Sequence, residues 1–240
     1  MIAMRRWCLP VLGWLLAVEV AAAPLPLGAA QSPTPLPNGA LVPLAGGGSL
    51  RIEYHANGLL HLEATPPGTS SLPTGAVLAV PPAPGNAEVF EDATSIVVRQ
   101  ANLVTLVRRD PLQVVVVRSD GSALLATLPG GLLHDPVSGV VVHLQHARPD
   151  ERFFGLGLVG GPLDKRGRVI TMRNKDNAAY GEFTTPLYSS TPFWYGHTGG
   201  KTVFEDESIR LWVVEGHGRE EVLIASIRTK VHAIGPGGIA

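Results

Sequence analysis

Cysteine occurs once in the 240 residues, at Cys8, and aromatic residues make up only 6% of the chain. A lone cysteine excludes an intramolecular disulfide framework. Stability must come from a packed core, and 45% apolar content over this length suffices to build one. Net charge is nearly absent as well: 19 Lys and Arg against 20 Asp and Glu leave −1. That balance gives no general attraction to nucleic acid or to an acidic membrane. Convincing helical periodicity is missing before residue 150, and no Gly-x-Ser-x-Gly nucleophile motif is present.

One continuous apolar run stands out, from Trp7 to Val20, interrupted by Pro10 and Glu19. Arg5 and Arg6 precede it, and small residues follow at Ala21-Ala22-Ala23 and again at Gly28-Ala29-Ala30. The run is short for a membrane span and carries a carboxylate, so it reads as a cleaved secretory signal. Residues 1–23 are expected to be removed, with cleavage as late as residue 30. The product would be exported, periplasmic or extracellular, with no membrane contact after cleavage. Cys8 lies in the signal, so the mature chain would have no cysteine.

Glycine and proline are abundant, at 28 and 21 residues, and suit many short elements joined by turns. Residues 24–48, rich in Pro, Gly, Ala and Ser, read as a linker or extended lead-in. From Ser49 the pattern changes. Leu50, Ile52 and Tyr54 alternate with Arg51, Glu53 and His55; Asn57-Gly58 follows, and Leu60, Leu62 and Ala64 alternate with His61 and Glu63. Two period-two runs around Asn-Gly predict a hairpin. Further strands are predicted at 76–80, 95–99, 103–108, 112–117 and 123–128, with Asp120-Gly121 as a second hairpin turn. The nearly continuous apolar run Leu112 to Val117 suggests a strand covered on both faces. Val140, Val142 and Leu144 alternate with Val141, His143 and Gln145. Strands at roughly ten-residue spacing make the fold class all-β, a β-sandwich. The segment 220–231 fits helix or strand equally.

Stretch 151–196 holds most of the aromatics and a tight group of Lys, Arg, Asn and Asp. Gly155-Leu156-Gly157-Leu158-Val159-Gly160 matches a dinucleotide fingerprint literally, but Gly161-Pro162 follows and leaves no helix to receive a phosphate. No cofactor is expected. The cluster Lys165, Arg166, Arg168, Arg173 and Lys175 reads as a solvated hairpin with Asp164 and Asp176 as counter-charges, not as a nucleic-acid patch. His143 and His146, near His134-Asp135, are three apart on a strand and point to opposite faces, so no metal site is expected there. Those histidines also form no convincing base–carboxylate pair for an aldose mutarotase. Phe153, Phe154 and Phe193 read as core. Asn174, Asp176, Tyr180 and Trp194 suit a pyranose, which offers C–H faces for stacking and hydroxyls for hydrogen bonds.

Several motifs in this stretch carry a family resemblance. They are Glu151-Arg152-Phe153-Phe154-Gly155-Leu156-Gly157, Gly161-Pro162-Leu163-Asp164-Lys165-Arg166-Gly167-Arg168, Met172-Arg173-Asn174-Lys175-Asp176, Pro186-Leu187-Tyr188 and Thr191-Pro192-Phe193-Trp194. In order and spacing the stretch resembles the N-terminal domain of glycoside hydrolase family 31, the α-glucosidases, α-xylosidases and relatives. The resemblance implies a galactose-mutarotase-like super-β-sandwich ahead of a (β/α)8 barrel that carries both catalytic aspartates of a retaining glycosidase. It implies that one sandwich loop reaches the sugar, with its aspartate at Asp176. Asn174 and Tyr180 are the further candidate substrate-binding residues, and no catalytic residue is expected in this chain. The chain shows no barrel and ends in Ile234-Gly235-Pro236-Gly237-Gly238, which resembles the handover to one. Residues 197–240 match the family imperfectly. The expectation is therefore a truncated or split enzyme, catalytically silent alone, whose partners are an α-glucoside-type carbohydrate and a catalytic barrel. A free-standing carbohydrate-binding or scaffolding sandwich is the alternative.

Overall fold

The computed structural model describes residues 23–56, 59–70, 83, 85–100, 102–121, 123–137, 139, 141–147, 151–172, 176 and 178–184, and the backbone of 190–197, 220–225 and 228–233. The signal segment and the strand predicted at 76–80 lie outside these residues. Every described strand pairing is antiparallel, in keeping with the all-β reading. No helix among the described residues is long and apolar enough to cross a membrane.

The chain begins with β1 (Leu25–Pro26), β2 (Thr34–Leu36), β3 (Gly39–Pro43), β4 (Ser49–His55) and β5 (Leu59–Thr65). Next come β6 (Glu88–Glu91), β7 (Ser95–Gln100), β8 (Leu103–Arg108), β9 (Gln113–Arg118) and β10 (Ala123–His134). After them lie β11 (Val141–His146), β12 (Arg152–Gly157), β13 (Val169–Met172), β14 (Ser190–His197), β15 (Glu220–Ala225) and β16 (Arg228–Ala233). One sheet runs β2-β3-β4-β5; the large sheet runs β13-β15-β16-β11-β10-β9-β8-β7-β6, with β1 added against β10; β12 pairs with β14 separately.

Alternation builds the core. On β4, Leu50, Ile52 and Tyr54 are buried while Arg51, Glu53 and His55 lie half-buried on the other face. The inward set meets Ala40 and Val42 from β3 and Ile96, Val98, Val107, Val114 and Val116 from the large sheet. Each such aliphatic side chain removed from water contributes about 1.5–3 kcal/mol. Tyr54 carries a polar group into this layer. Its hydroxyl donates to the Val98 carbonyl at 2.7 Å and lies 2.8 Å from the Thr105 hydroxyl. Burial pushes the Tyr54 phenol up to about 12.

Two readings change and one open choice is decided. Residues 24–48 are no free linker: Leu27, Ala30, Ala40, Val42 and Leu44 join the core. The Ala30 amide donates to the Arg109 carbonyl at 3.0 Å, and the Leu27 amide donates to the Leu132 carbonyl at 3.0 Å. Pairing with distant strands decided this, and local composition could not report it. On β9, Val114 and Val116 are buried but Val115 and Val117 only half-buried, so one face is core and the other is partly covered. The undecided segment 220–231 forms two strands, β15 and β16, paired from Glu220↔Ala233 to Ala225↔Arg228.

The long strand β10 couples two parts of the large sheet. Its first half pairs with β9 and its second half with β11, with a register shift between Thr127 and Leu132. Thr127 bridges the join: its hydroxyl accepts from the Val114 amide at 2.9 Å, and its carbonyl accepts from the Gln113 side chain at 2.8 Å. On β11 the register against β16 is unbroken, so His143 and His146 fall on opposite faces as predicted. Burial lowers the His143 imidazole to about 4.

Candidate functional site

The site predicted from sequence lies beyond β12. This strand ends in three consecutive left-handed residues, Gly155 (φ 107°), Leu156 (φ 71°) and Gly157 (φ 77°). Leu156 is fully buried despite its positive φ, a conformation that costs a side-chain-bearing residue about 1–2 kcal/mol. The pairing with β14 slips here, from Gly155↔Trp194 to Gly157↔Ser190. The GxGxxG run is thus a strand end that throws the chain outward, and no helix follows it among the described residues.

The loop that leaves β12 is held by its charged residues turned inward. Asp164 Oδ1 accepts from the Phe153 amide at 3.2 Å and from the Arg166 amide at 3.0 Å, while Oδ2 lies 3.4 Å from the Arg152 guanidinium. Lys165 is only 5% exposed. Its amide donates to the Phe153 carbonyl at 2.7 Å and its Nζ donates to the Pro162 carbonyl at 2.6 Å. Desolvation, and secondarily the Arg168 charge, lower its pKa. Arg166 donates to the Glu151 carbonyl and Arg168 to the Gly160 carbonyl. For these three residues the solvated-hairpin reading is corrected. The cations satisfy carbonyls that the loop's tight turns leave without strand partners. Arg173 and Lys175 lie outside the described residues.

A second loop, 178–184, leans on the first. The Arg168 guanidinium lies over the Phe183 ring, 6.0 Å from its centroid. A Cβ on Gly160 would stand 2.5 Å from the Glu182 carbonyl oxygen and 2.9 Å from that of Thr184, so only glycine permits this approach. Between the loops is an open depression of about 340 Å³ lined by Leu158, Val159, Gly160, Tyr180, Gly181 and Glu182. The two loops expose large apolar side chains: Leu158 is 52% exposed, Leu163 82%, Tyr180 64% and Phe183 63%.

Of the predicted substrate-binding residues, Tyr180 lines the depression and Asp176 is exposed four residues earlier in the chain. Asn174 lies outside the described residues, as do the side chains of Trp194 and Phe193. Phe153 is buried, as expected, and Phe154 half-buried. Sequence reasoning missed Leu158 and Glu182 as lining residues. Their signal was the Gly160-Gly161 pair, which marks close backbone approach. Asp135 Oδ1 accepts from the Val137 amide at 2.9 Å, a turn contact beside His134.

A family model for the glycosyl hydrolase 31 N-terminal galactose mutarotase-like domain matches residues 49–213. The chain belongs to this family. The all-β sandwich is therefore of the galactose-mutarotase-like kind. Among curated proteins it is similar to alpha-glucosidase 2 of Bacillus thermoamyloliquefaciens, with 27% identity over 148 residues, 61% of this chain and 19% of that protein. Among solved structures it resembles a family 31 dextranase of Flavobacterium johnsoniae complexed with glucose. That match has a TM-score of 0.72 at 21% identity and covers 88% of this chain and 25% of the dextranase. The cycloalternan-forming enzyme of Listeria monocytogenes, complexed with a pentasaccharide substrate, is similar in fold at a TM-score of 0.65 and 16% identity, over 86% of this chain and 20% of that one. The chain thus spans a quarter or less of the length of these relatives.

Proposed function

We propose that this chain is the N-terminal sandwich of an exported family 31 α-glycosidase and lends its 176–183 loop to an α-glucoside. The catalytic carboxylates come from a (β/α)8 barrel outside these 240 residues. The family match over 49–213 carries the reading. The paired loops support it. An aromatic ring at Tyr180 and acceptors at Asp176 and Glu182 are the groups that recognise a pyranose. The exposed Leu158, Leu163 and Phe183 suit a surface that a second domain covers. Asp164 is committed to the loop backbone. Export rests on the arrangement of residues 1–23.

The chain alone is expected to leave an aryl α-glucoside intact and to bind isomaltotriose weakly, with Kd in the range of about 1 mM. Asp176→Ala and Tyr180→Ala should each weaken that binding about 5- to 10-fold, near 1 kcal/mol. Turnover that disappears on mutating a carboxylate of this chain would sink the proposal. Unchanged binding in both variants would place the sugar elsewhere and favour a free-standing binding module.

A further inference from the structure

The hairpin of β4 and β5 carries a side-chain cluster far in sequence from the sugar loops. Glu53 and His55 are two apart on β4 and share its outer face; His61 on β5 is the direct partner of Glu53 in the register. The neighbour of Glu53 on the other side is Gly39 of β3, where a Cβ would stand 1.8 Å from the Ile52 carbonyl oxygen. One ligand atom from each of Glu53, His55 and His61 lies within 4.8 Å of the other two. Glu53 Oε2 is 3.4 Å from His61 Nδ1, and the two imidazole centroids are 6.4 Å apart. All three residues are half-buried.

We propose that Glu53, His55 and His61 bind one divalent transition-metal ion, with Zn2+ the best match. Two imidazoles and one carboxylate are a borderline-soft donor set that suits Zn2+ and leaves the fourth tetrahedral position to water. Metal–ligand bonds of about 2.0–2.1 Å put tetrahedral ligand atoms about 3.3 Å apart. The Glu53–His61 separation already meets that spacing, and the third ligand atom closes from at most 4.8 Å by a side-chain torsion. Arg51 donates to Glu53 Oε1 at 3.0 Å. It holds the carboxylate with Oε2 toward His61, as an outer-shell partner orients a metal ligand. A hairpin so clamped joins strands that are 8 residues apart at the Glu53–His61 pair, so the ion stabilises the edge of the smaller sheet.

Titrating ZnCl2 into the chelator-stripped full chain tests the site by calorimetry and by thermal melting. One saturable equivalent and a rise in Tm are expected, and Co2+ in its place should give the intense visible bands of a four-coordinate ion. His55→Ala, His61→Ala and Glu53→Gln should each weaken binding at least about 10-fold, whereas His146→Ala, on β11, should leave it unchanged. The metal-free melting of each variant separates lost ligation from lost fold, and Glu53→Gln preserves shape if a histidine variant fails to fold. Absence of a saturable equivalent overturns the proposal. So does binding that survives both His61→Ala and Glu53→Gln.

Discussion

The hairpin β4–β5 and the loops after β12 are built from the same chemistry used in opposite ways. In the hairpin, alternation sends Leu50, Ile52 and Tyr54 inward and leaves Arg51, Glu53 and His55 outside. In the first loop after β12, Lys165 turns in, 5% exposed, with Arg166 and Arg168 half-buried, while apolar Leu163 is 82% exposed. A paired strand satisfies its own backbone, so its side chains are free to sort by polarity. An irregular loop must find donors for its carbonyls, and Lys165, Arg166 and Arg168 supply them. Apolar Leu158, Leu163, Tyr180 and Phe183 are left exposed.

The largest expected break in this comparison is Ile52→Ala. Ile52 is fully buried between the two sheets, so urea unfolding should show a loss of about 3–4 kcal/mol. Acid comes next. His143 titrates near 4 in the folded protein against about 6.5 unfolded, so the unfolded state takes up its proton first. Stability is fully present above pH 6.5 and falls as pH drops toward 4, by about 2–3 kcal/mol; His143→Leu should flatten that part of the pH profile. Tyr54→Phe leaves the Val98 carbonyl and the Thr105 hydroxyl without this partner and should cost about 1–2 kcal/mol by the same unfolding assay.

The loops should respond differently. Gly160→Ala forces 182–184 away and should speed amide exchange at Gly181 and Thr184, by about 1 kcal/mol of opening energy, while β4 amides stay protected. Leu163→Ser should change stability by less than about 0.5 kcal/mol yet reduce binding of a hydrophobic dye. A large loss of stability from Leu163→Ser would erase the distinction between the two regions.

Much of the sandwich was legible. The two strands of the hairpin, β8 at Leu103–Arg108 and β7 at Ser95–Gln100 follow from period-two patterns, while the Asn57-Gly58 turn lies outside the described residues. β6 was not, because Glu-Val-Phe-Glu at the sheet edge is mostly exposed and shows no apolar face. Its neighbour supplies what holds it: Arg99 pairs with Glu88 and lies over Phe90, 5.4 Å from the ring centroid. Of the candidate site, Tyr180, which lines the depression, could be picked by residue type. The inward turn of Lys165 could not, since a run of cations reads the same whether solvated or buried.

The sequence by itself determined the all-β class, the inward face of β4 and the family motifs of 151–196, since strand period, turn chemistry and motif order are local properties. Tertiary structure alone decided that Leu27, Ala30, Ala40, Val42 and Leu44 of 24–48 join the core and that Lys165, Arg166 and Arg168 bind carbonyls. It also set Glu53 against His61. Those outcomes depend on contacts such as Arg109 with the Ala30 carbonyl, 79 residues away, which form only after the sheets close.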